Sequence, residues 1–419
     1  MRLGLPWSSA FGRQLATLVG LGIGEQAVSS VSNLVFTILA VQASAPASFG
    51  AYSIAWSFVM LIESLLWALL GDPVPSAAQR TSGARLAQFR GSLYLYSAAA
   101  IALIGAAAAI SSLFLQDSGT VWILVAAFGA ASALRMQQTF RRICHLDHRR
   151  YLSFVGSVIY GIVLVGGLLV LRDRSEDLPA WGLLALWAGA LATNALLAVF
   201  LLGTVAMPDG RMVRASWARL LRIGAPLVPS ALLYWISSYG IIPFVGAVLG
   251  PTASGAMRLV FTFLSPLFQT IAAVSSVALP MLAKALRGTH VSGKSRAFAG
   301  VAFTYLAIFV AYILFGALVL PAASGWILTD SLMPYFTSSA LALVIVLALA
   351  DVIRSAGAMV LLAIGSTKNI LIGWVLSSLV TFGGLAYVLA VPSFVAAVSV
   401  LAASNVVGAL YVALRLSRN

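Results

Sequence analysis

The chain reads as an all-α integral membrane protein, with twelve transmembrane helices in two six-helix bundles related by a pseudo-two-fold axis along the membrane normal. Three observations carry that expectation. Hydrophobic residues make up 61% of the 419 positions and charged residues 9%, with a mean hydropathy of +1.02; a soluble domain carries about 25% charge. The apolar residues fall into twelve runs, each long enough to cross a hydrocarbon core of about 30 Å as a helix. A spacing pattern in the first half recurs in the second.

The runs lie near 15–40, 49–71, 91–115, 120–139, 151–171, 180–206, 223–249, 254–283, 297–320, 336–364, 370–390 and 393–414. The first follows Arg2 and Arg13, but Glu25 interrupts it and it extends too far for a removable signal peptide, so it is expected to be a retained span. The second opens on Phe49-Gly50-Ala51-Tyr52 and leaves at Gly71-Asp72-Pro73. A basic loop, RRICHLDHRR, separates the fourth from the fifth. Span seven carries Pro226, Pro229 and Pro243 and is the expected bent helix, because each proline removes a backbone donor that neighbouring helices must make good. Span eight contains Pro266 and Pro280, and span ten contains Asp351 and Arg354. The expected organisation is an N-terminal bundle over 1–206, a cytoplasmic linker over 207–222 and a C-terminal bundle over 223–419.

With the N-terminus inside, 21 Lys and Arg residues fall in the inner loops and tails, and only Arg172 and Arg174 in the outer loops. The positive-inside rule then places both termini in the cytoplasm. The formal charge of +14 is spread over short loops between apolar runs, which argues orientation and against nucleic acid. A single cysteine, Cys144, excludes an internal disulfide and a cysteine-based metal site.

The repeat runs as follows. Arg13, an apolar run, Phe49-Gly50-Ala51-Tyr52-Ser53, a second run, and Pro73 with Arg80 form the first unit. Arg219, an apolar run, Ser254-Gly255-Ala256-Met257-Arg258, a second run, and Pro280 with Arg287 form the second. The separations from Arg to Gly are 37 and 36, and from Gly to Pro 23 and 25. Six spans per unit is an even number, so both halves start from the same side, and a site is expected between them. The repeat sets Arg258 against Ser53, which makes the cation unique to the second half.

Glu25, Glu63, Asp351 and Arg354 lie well inside spans, Arg258 nearer an outer end and Arg135 nearer an inner one. Each costs roughly 2.5–3.5 kcal/mol at a helix centre, so they are expected to face a cavity or one another. Glu25 and Glu63 fall at similar depth on consecutive antiparallel helices. Either they form a proton- or cation-coupling site, or each bonds separately to other helices or to cavity water. Asp351 and Arg354, three apart, share a helical face and can pair; the alternative is that Arg354 receives an anionic substrate. Arg258 has no acid three or four residues away; it either presents a cation to a cavity or snorkels to the interface. Gln26, Asn33, Tyr52, Gln137, Gln138 and Gln269 could line the same cavity or bond between helices.

Other chemistry is thin. His145 and His148, with Asp147, are expected in a solvated basic loop and not in a metal site, and His290 is alone. No hydrolase triad assembles on one side. Trp7, Trp122, Trp181, Trp326 and Tyr151 fall at span ends as interface anchors. No cofactor is expected.

Several of these stretches carry a resemblance. Glu25-Gln26, the Phe49-Gly50-Ala51-Tyr52 opening, the Gly71-Asp72-Pro73 exit, and Leu249-Gly250-Pro251 followed by Gly255-Ala256-Met257-Arg258 resemble the polysaccharide-export flippases of the bacterial MOP superfamily, the Wzx-type transporters. The resemblance implies two six-span bundles around a central cationic cavity, in the bacterial cytoplasmic membrane. It implies a polyprenyl-diphosphate-linked oligosaccharide as substrate, flipped to the outer leaflet for exopolysaccharide, O-antigen or capsule synthesis, with glycosyltransferases and a glycan polymerase as pathway partners. Arg258, Arg354 and Arg135 would contact the diphosphate, with Tyr52 and Gln269 beside them, while Glu25, Glu63 and Asp351 would serve ion coupling. Many such proteins have Tyr before the span-eight arginine, where this chain departs with Met257.

An inside-negative potential favours outward movement of anions by about 2.3 kcal/mol per charge per 100 mV, or roughly 4–5 kcal/mol for two charges. Two rivals stand beside this reading. A cation-coupled multidrug antiporter of the related MATE group would need a net acidic cavity. A membrane glycan polymerase or acyltransferase would need a large outer loop or a catalytic His, and the longest outer segment, about Pro321 to Tyr335, has neither.

Overall fold

The structure is a computed structural model that describes residues 9–78, 83–115, 117–147, 149–175, 177–202, 206–286, 291–327 and 329–418. Among them there are helices and no strands. The first half contains α1 (Ser9–Gln42), α2 (Pro46–Leu70), a short α3 (Pro73–Ala78), α4 (Gly83–Ser112), α5 (Ser118–Leu146), α6 (Arg150–Arg172) and α7 (Ala180–Leu202). The second contains α8 (Gly210–Gly224), α9 (Val228–Ser237), α10 (Ile241–Leu249), α11 (Pro251–Ala285), α12 (Val291–Ile327), α13 (Ser338–Ala363), α14 (Thr367–Ala390) and α15 (Phe394–Arg418). Eleven helical stretches are long and apolar enough to cross a membrane, and Ala180–Leu196 of α7 is a shorter apolar one. Leu103, Ile110, Phe303, Leu314, Phe315 and Leu379 stand exposed on the outside of the bundles, where a lipid-facing surface puts apolar side chains.

Span seven is bent, but the break is not at a proline. It falls at Ser238-Tyr239-Gly240, between α9 and α10, where the Trp235 carbonyl accepts from both Ser238 N (3.2 Å) and Gly240 N (2.8 Å). The Trp235 indole donates to the Ser57 carbonyl of α2 at 2.7 Å and so ties the bend to the other half. Pro226 lies in a 3₁₀ turn, and Pro229 and Pro243 in the first turns of α9 and α10. The missing N–H costs little there, because first-turn donors have no helical partner. The prolines restart the span; they do not kink it.

The stretch expected as a linker, 207–222, is largely helical. In α8 the buried Ser216 and Leu220 face the bundle, while Arg211, Arg214, Trp217 and Arg222 stand exposed on the other side. The helix is capped by Asp209, whose carboxylate accepts from Met212 N at 2.6 Å.

In the first half α1 packs on α6, α5 on α4 and α7, and α2 on α5; in the second α15 packs on α13 and α14, and α11 on α13. The two lobes meet where α1 and α2 lie against α11, with α9 and α10 also touching α2. The repeated motifs are the contact itself. A Cβ on Gly50 would overlap the Pro251 backbone, and one on Gly255 would come within 2.7 Å of the Phe49 ring. Gly250, at φ +91°, turns the chain from α10 into α11 just before this contact. Phe49, Gly50, Ala253 and Ala256 are buried, so this end of the lobe interface is dry.

Candidate functional site

Beyond the motif contact the lobes part around a cavity of about 880 Å³, reaching from Trp56, Tyr160 and Arg258 to Asp72, Arg141 and Arg142. An adjoining cavity of about 880 Å³ continues it past Glu25 and Trp67 to Pro75, Arg150 and Leu227. The first wall is mixed in charge, with four arginines (Arg141, Arg142, Arg258 and Arg354) against three acids (Glu63, Asp72 and Asp351).

Arg258 projects from the first turns of α11 at the motif-contact end. Its guanidinium lies over the Trp56 ring at 3.3 Å from the centroid, and Tyr52, Tyr239 and Tyr160 surround it. The side chain is buried, its Nε has no hydrogen-bond partner and no carboxylate pairs with it among the described residues. A desolvated cation–π contact is worth about 2 kcal/mol, less than the cost of an unpaired buried charge. The site therefore holds a cation short of a counter-ion. Tyr52 does not line the cavity; it is 1% exposed and backs the arginine from α2. An aromatic partner is absent at Met257 and is supplied from the opposite lobe.

Arg354 pairs with Asp351 one turn earlier on α13 and lies over Trp374 of α14 at 4.0 Å. Both line the cavity. Gly408 of α15 leaves the room it occupies, since a Cβ there would stand 3.2 Å from Arg354 Cδ.

Glu25 and Glu63 both line the adjoining cavity, and each lies against its own arginine. Glu25 accepts from Arg141 Nε at 2.5 Å and Ser153 Oγ at 2.6 Å, with His145 Nε2 at 3.2 Å. Glu63 lies 3.7 Å from Arg135, and neither of its oxygens has a hydrogen-bond partner among the described residues. Arg135 is 1% exposed and donates to Thr139; it faces Glu63 behind the wall and is not among the cavity-lining residues. His145 is not in a solvated loop but in the last turn of α5, against Glu25. Asp147 pairs with Arg90. His148 and His290 lie outside the described residues.

Gln26, Asn33, Gln137, Gln138 and Gln269 all line the cavity. Asn33 accepts from Tyr160 at 2.7 Å, which in turn accepts from Trp187 at 3.1 Å, so a polar chain fixes the α1 wall. Among the described residues no group of three His, Cys, Asp or Glu could hold a metal. Trp122, Trp181 and Tyr151 are exposed, as interface anchors are.

Sequence reasoning missed the tryptophans under the arginines, Trp56, Trp67 and Trp374. A signal existed for two of them. Trp56 and Trp67 lie eleven residues apart, three helical turns, on one face of α2 with Met60 and Glu63.

No family model and no curated protein matches the sequence. Solved structures match over nearly the full length. A MOP superfamily transporter from Pyrococcus furiosus, described as having a binding pocket of reverse polarity that suggests a different function, superposes with a TM-score of 0.67 at 16% identity, over 96% of this chain and 94% of that one. An outward-facing multidrug resistance MATE family transporter of the same superfamily gives 0.64 at 19% identity, over 96% and 95%. The MATE multidrug transporter DinF-BH gives 0.69 at 14% identity, over 100% and 97%. At these identities the likeness is one of fold: the chain has the two-lobed architecture of these transporters.

Proposed function

We propose that this protein is a membrane transporter that flips a polyprenyl-diphosphate-linked oligosaccharide from the cytoplasmic to the outer leaflet by alternating access. The observation that carries the reading is Arg258, a buried cation without a carboxylate partner among the described residues, at the deep end of a cavity between two lobes. An anionic headgroup supplies the missing counter-charge. The fold supports transport, since the matching structures are transporters.

The arginine-rich end, with Arg141, Arg142 and Arg150, faces the cytoplasm under the positive-inside rule. The cavity then opens inward and the Gly50–Pro251 contact is the closed outer gate. The diphosphate and sugar enter the cavity while the polyprenyl tail stays in the bilayer. Arg258 and Arg354 take the phosphate oxygens, with Gln269 placed for the sugar. Rocking of the lobes about α2 and α11 exchanges the open end. Glu25, Glu63 and Asp351 are the groups that can take up a proton or hold a cation during the cycle. The site lies in a bacterial cytoplasmic membrane, beside the glycosyltransferases and polymerase that make and use the substrate.

Neutralising Arg258 or Arg354 abolishes glycan export while the protein remains in the membrane; normal export by both Arg258→Ala and Arg354→Ala would sink this assignment. A second reading, a cation-coupled multidrug antiporter, is favoured by the three cavity acids and by the MATE likeness. Each of those acids already lies against an arginine, which leaves little net negative charge for a cationic drug. Drug resistance without accumulation of lipid-linked sugar in a deletion strain would select the antiporter.

A further inference from the structure

Among the described residues three arginines lie over tryptophan rings: Arg258 over Trp56, Arg354 over Trp374, and Arg142 over Trp67 at 4.4 Å. The first two belong to the deep site. The third does not. Trp56 and Trp67 occupy one face of α2, and eleven residues at 1.5 Å each set them about 16 Å apart along it. Trp56, Met60, Glu63 and Trp67 form a continuous stripe along the two adjoining cavities, with Arg142 on the wall of both.

We propose that Arg142 and Trp67 form a second anion subsite at the arginine-rich mouth, where the phosphate or diphosphate of the lipid carrier docks before it reaches Arg258. The proposal rests on the flippase reading for its ligand, and on geometry for its place. Over the indole the guanidinium keeps N–H groups with which to address an oxyanion, the fork geometry for which arginine is suited. Arg142 Nε is buried without a hydrogen-bond partner among the described residues. The nearest acid, Asp72, stands at 3.7 Å, beyond hydrogen-bond length, with its side chain 49% exposed. That carboxylate also accepts from Trp67, so it counters Arg142 by charge without occupying its N–H groups. The neighbouring Arg141 is taken by Glu25 at 2.5 Å and is not available in the same way.

Glu63 explains why there are two stations and not one track. It sits between Trp56 and Trp67 on the same stripe, and its carboxylate oxygens lack hydrogen-bond partners among the described residues. Set against Arg135, its carboxylate offers no donor to an anion passing from Arg142 to Arg258, so the anion rests at either end. The mouth station, partly countered by Asp72, binds more weakly than the deep one.

The test uses the full-length protein reconstituted in nanodiscs and proteoliposomes. Calorimetric titration with inorganic pyrophosphate and with sugar-free polyprenyl diphosphate reads the subsite apart from flipping. In an Arg258→Gln background, which leaves the mouth station alone, Arg142→Gln should weaken binding of the lipid diphosphate about tenfold, the loss of a charged hydrogen-bonding group, with Arg142→Lys recovering most of it. Parallel weakening of pyrophosphate shows that the phosphate chemistry suffices, and weakening of the lipid form alone shows that the carrier tail is also read. In flipping assays Arg142→Gln should raise the half-saturating substrate concentration by a similar factor with the maximal rate within about twofold, whereas Arg258→Gln abolishes the rate. Trp67→Leu carries the same test if Arg142→Gln does not reach the membrane. Unchanged diphosphate binding and half-saturation in these variants would overturn the subsite while leaving the flippase reading intact. A wild-type protein that binds diphosphate through Arg142 but flips no lipid-linked sugar would do the reverse.

Discussion

Helices α2 and α11 begin alike and end in opposite roles. Each opens on a Gly-Ala pair, and the two openings pack on one another through Gly50, Pro251, Phe49 and Gly255. One turn on they part. Ser53 of α2 is closed on itself, its hydroxyl donating to the Phe49 carbonyl at 2.7 Å, whereas Arg258 of α11 crosses to Trp56 of the other lobe with no acid to meet it among the described residues. The close backbone contact has been kept on both sides, and the charge stands on one.

The largest way to break that comparison is Arg258→Ala, which should reduce flipping by at least about 100-fold, on the order of 2.7 kcal/mol of lost stabilisation, with membrane levels unchanged on blotting. Moving the cation across, Ser53→Arg in an Arg258→Ser background, should not restore transport, because Ser53 is packed into the lobe contact.

Glu25, in contrast to Arg258, is answered within its own lobe, by Arg141 and Ser153. Glu25→Ala strips the acceptor from Arg141 and Ser153 at once and should cost about 3–5 kcal/mol of stability. The drop in thermal unfolding temperature should shrink in the Glu25→Ala/Arg141→Ala double variant.

Gly50→Val overfills the dry gate and should destabilise by about 1–3 kcal/mol; a thiol-reactive probe at an engineered Ser254→Cys should then react faster than in the Gly50 parent. Equal labelling in both would mean that this contact does not seal the cavity. The smallest expected effect is at Asp351: Asp351→Asn releases Arg354 from its partner and should tighten diphosphate binding by a few-fold, the opposite sign to Arg354→Gln.

The membrane architecture was legible in the sequence because crossing a bilayer demands length and apolarity, and both are local. The Gly50 and Gly255 motifs were legible as a repeat, but that they touch was not. Glu25 meets Arg141 from 116 residues away and Glu63 meets Arg135 from 72 away, on helices whose rotation no single-helix spacing reveals. Asp351 and Arg354, a local i,i+3 pair, were readable for the same reason that those were not. The bend of span seven was anticipated from its prolines, yet it is made by the Trp235 carbonyl and the Ser57 contact with α2, a tertiary cause. In α8 the signal was present, arginines and apolar residues alternating at helical period, but its polar face resembles a loop when only hydropathy is followed.

The central claim is that the cavity carries a lipid-linked anion and that Arg258 is its counter-charge. The most direct measurement is transbilayer movement of a fluorescent polyprenyl-diphosphate oligosaccharide in proteoliposomes, set beside uptake of a cationic dye. The account predicts movement of the lipid-linked sugar by the wild type, none by Arg258→Ala and no dye transport by either. Dye transport by the wild type with a stationary lipid-linked sugar would contradict it.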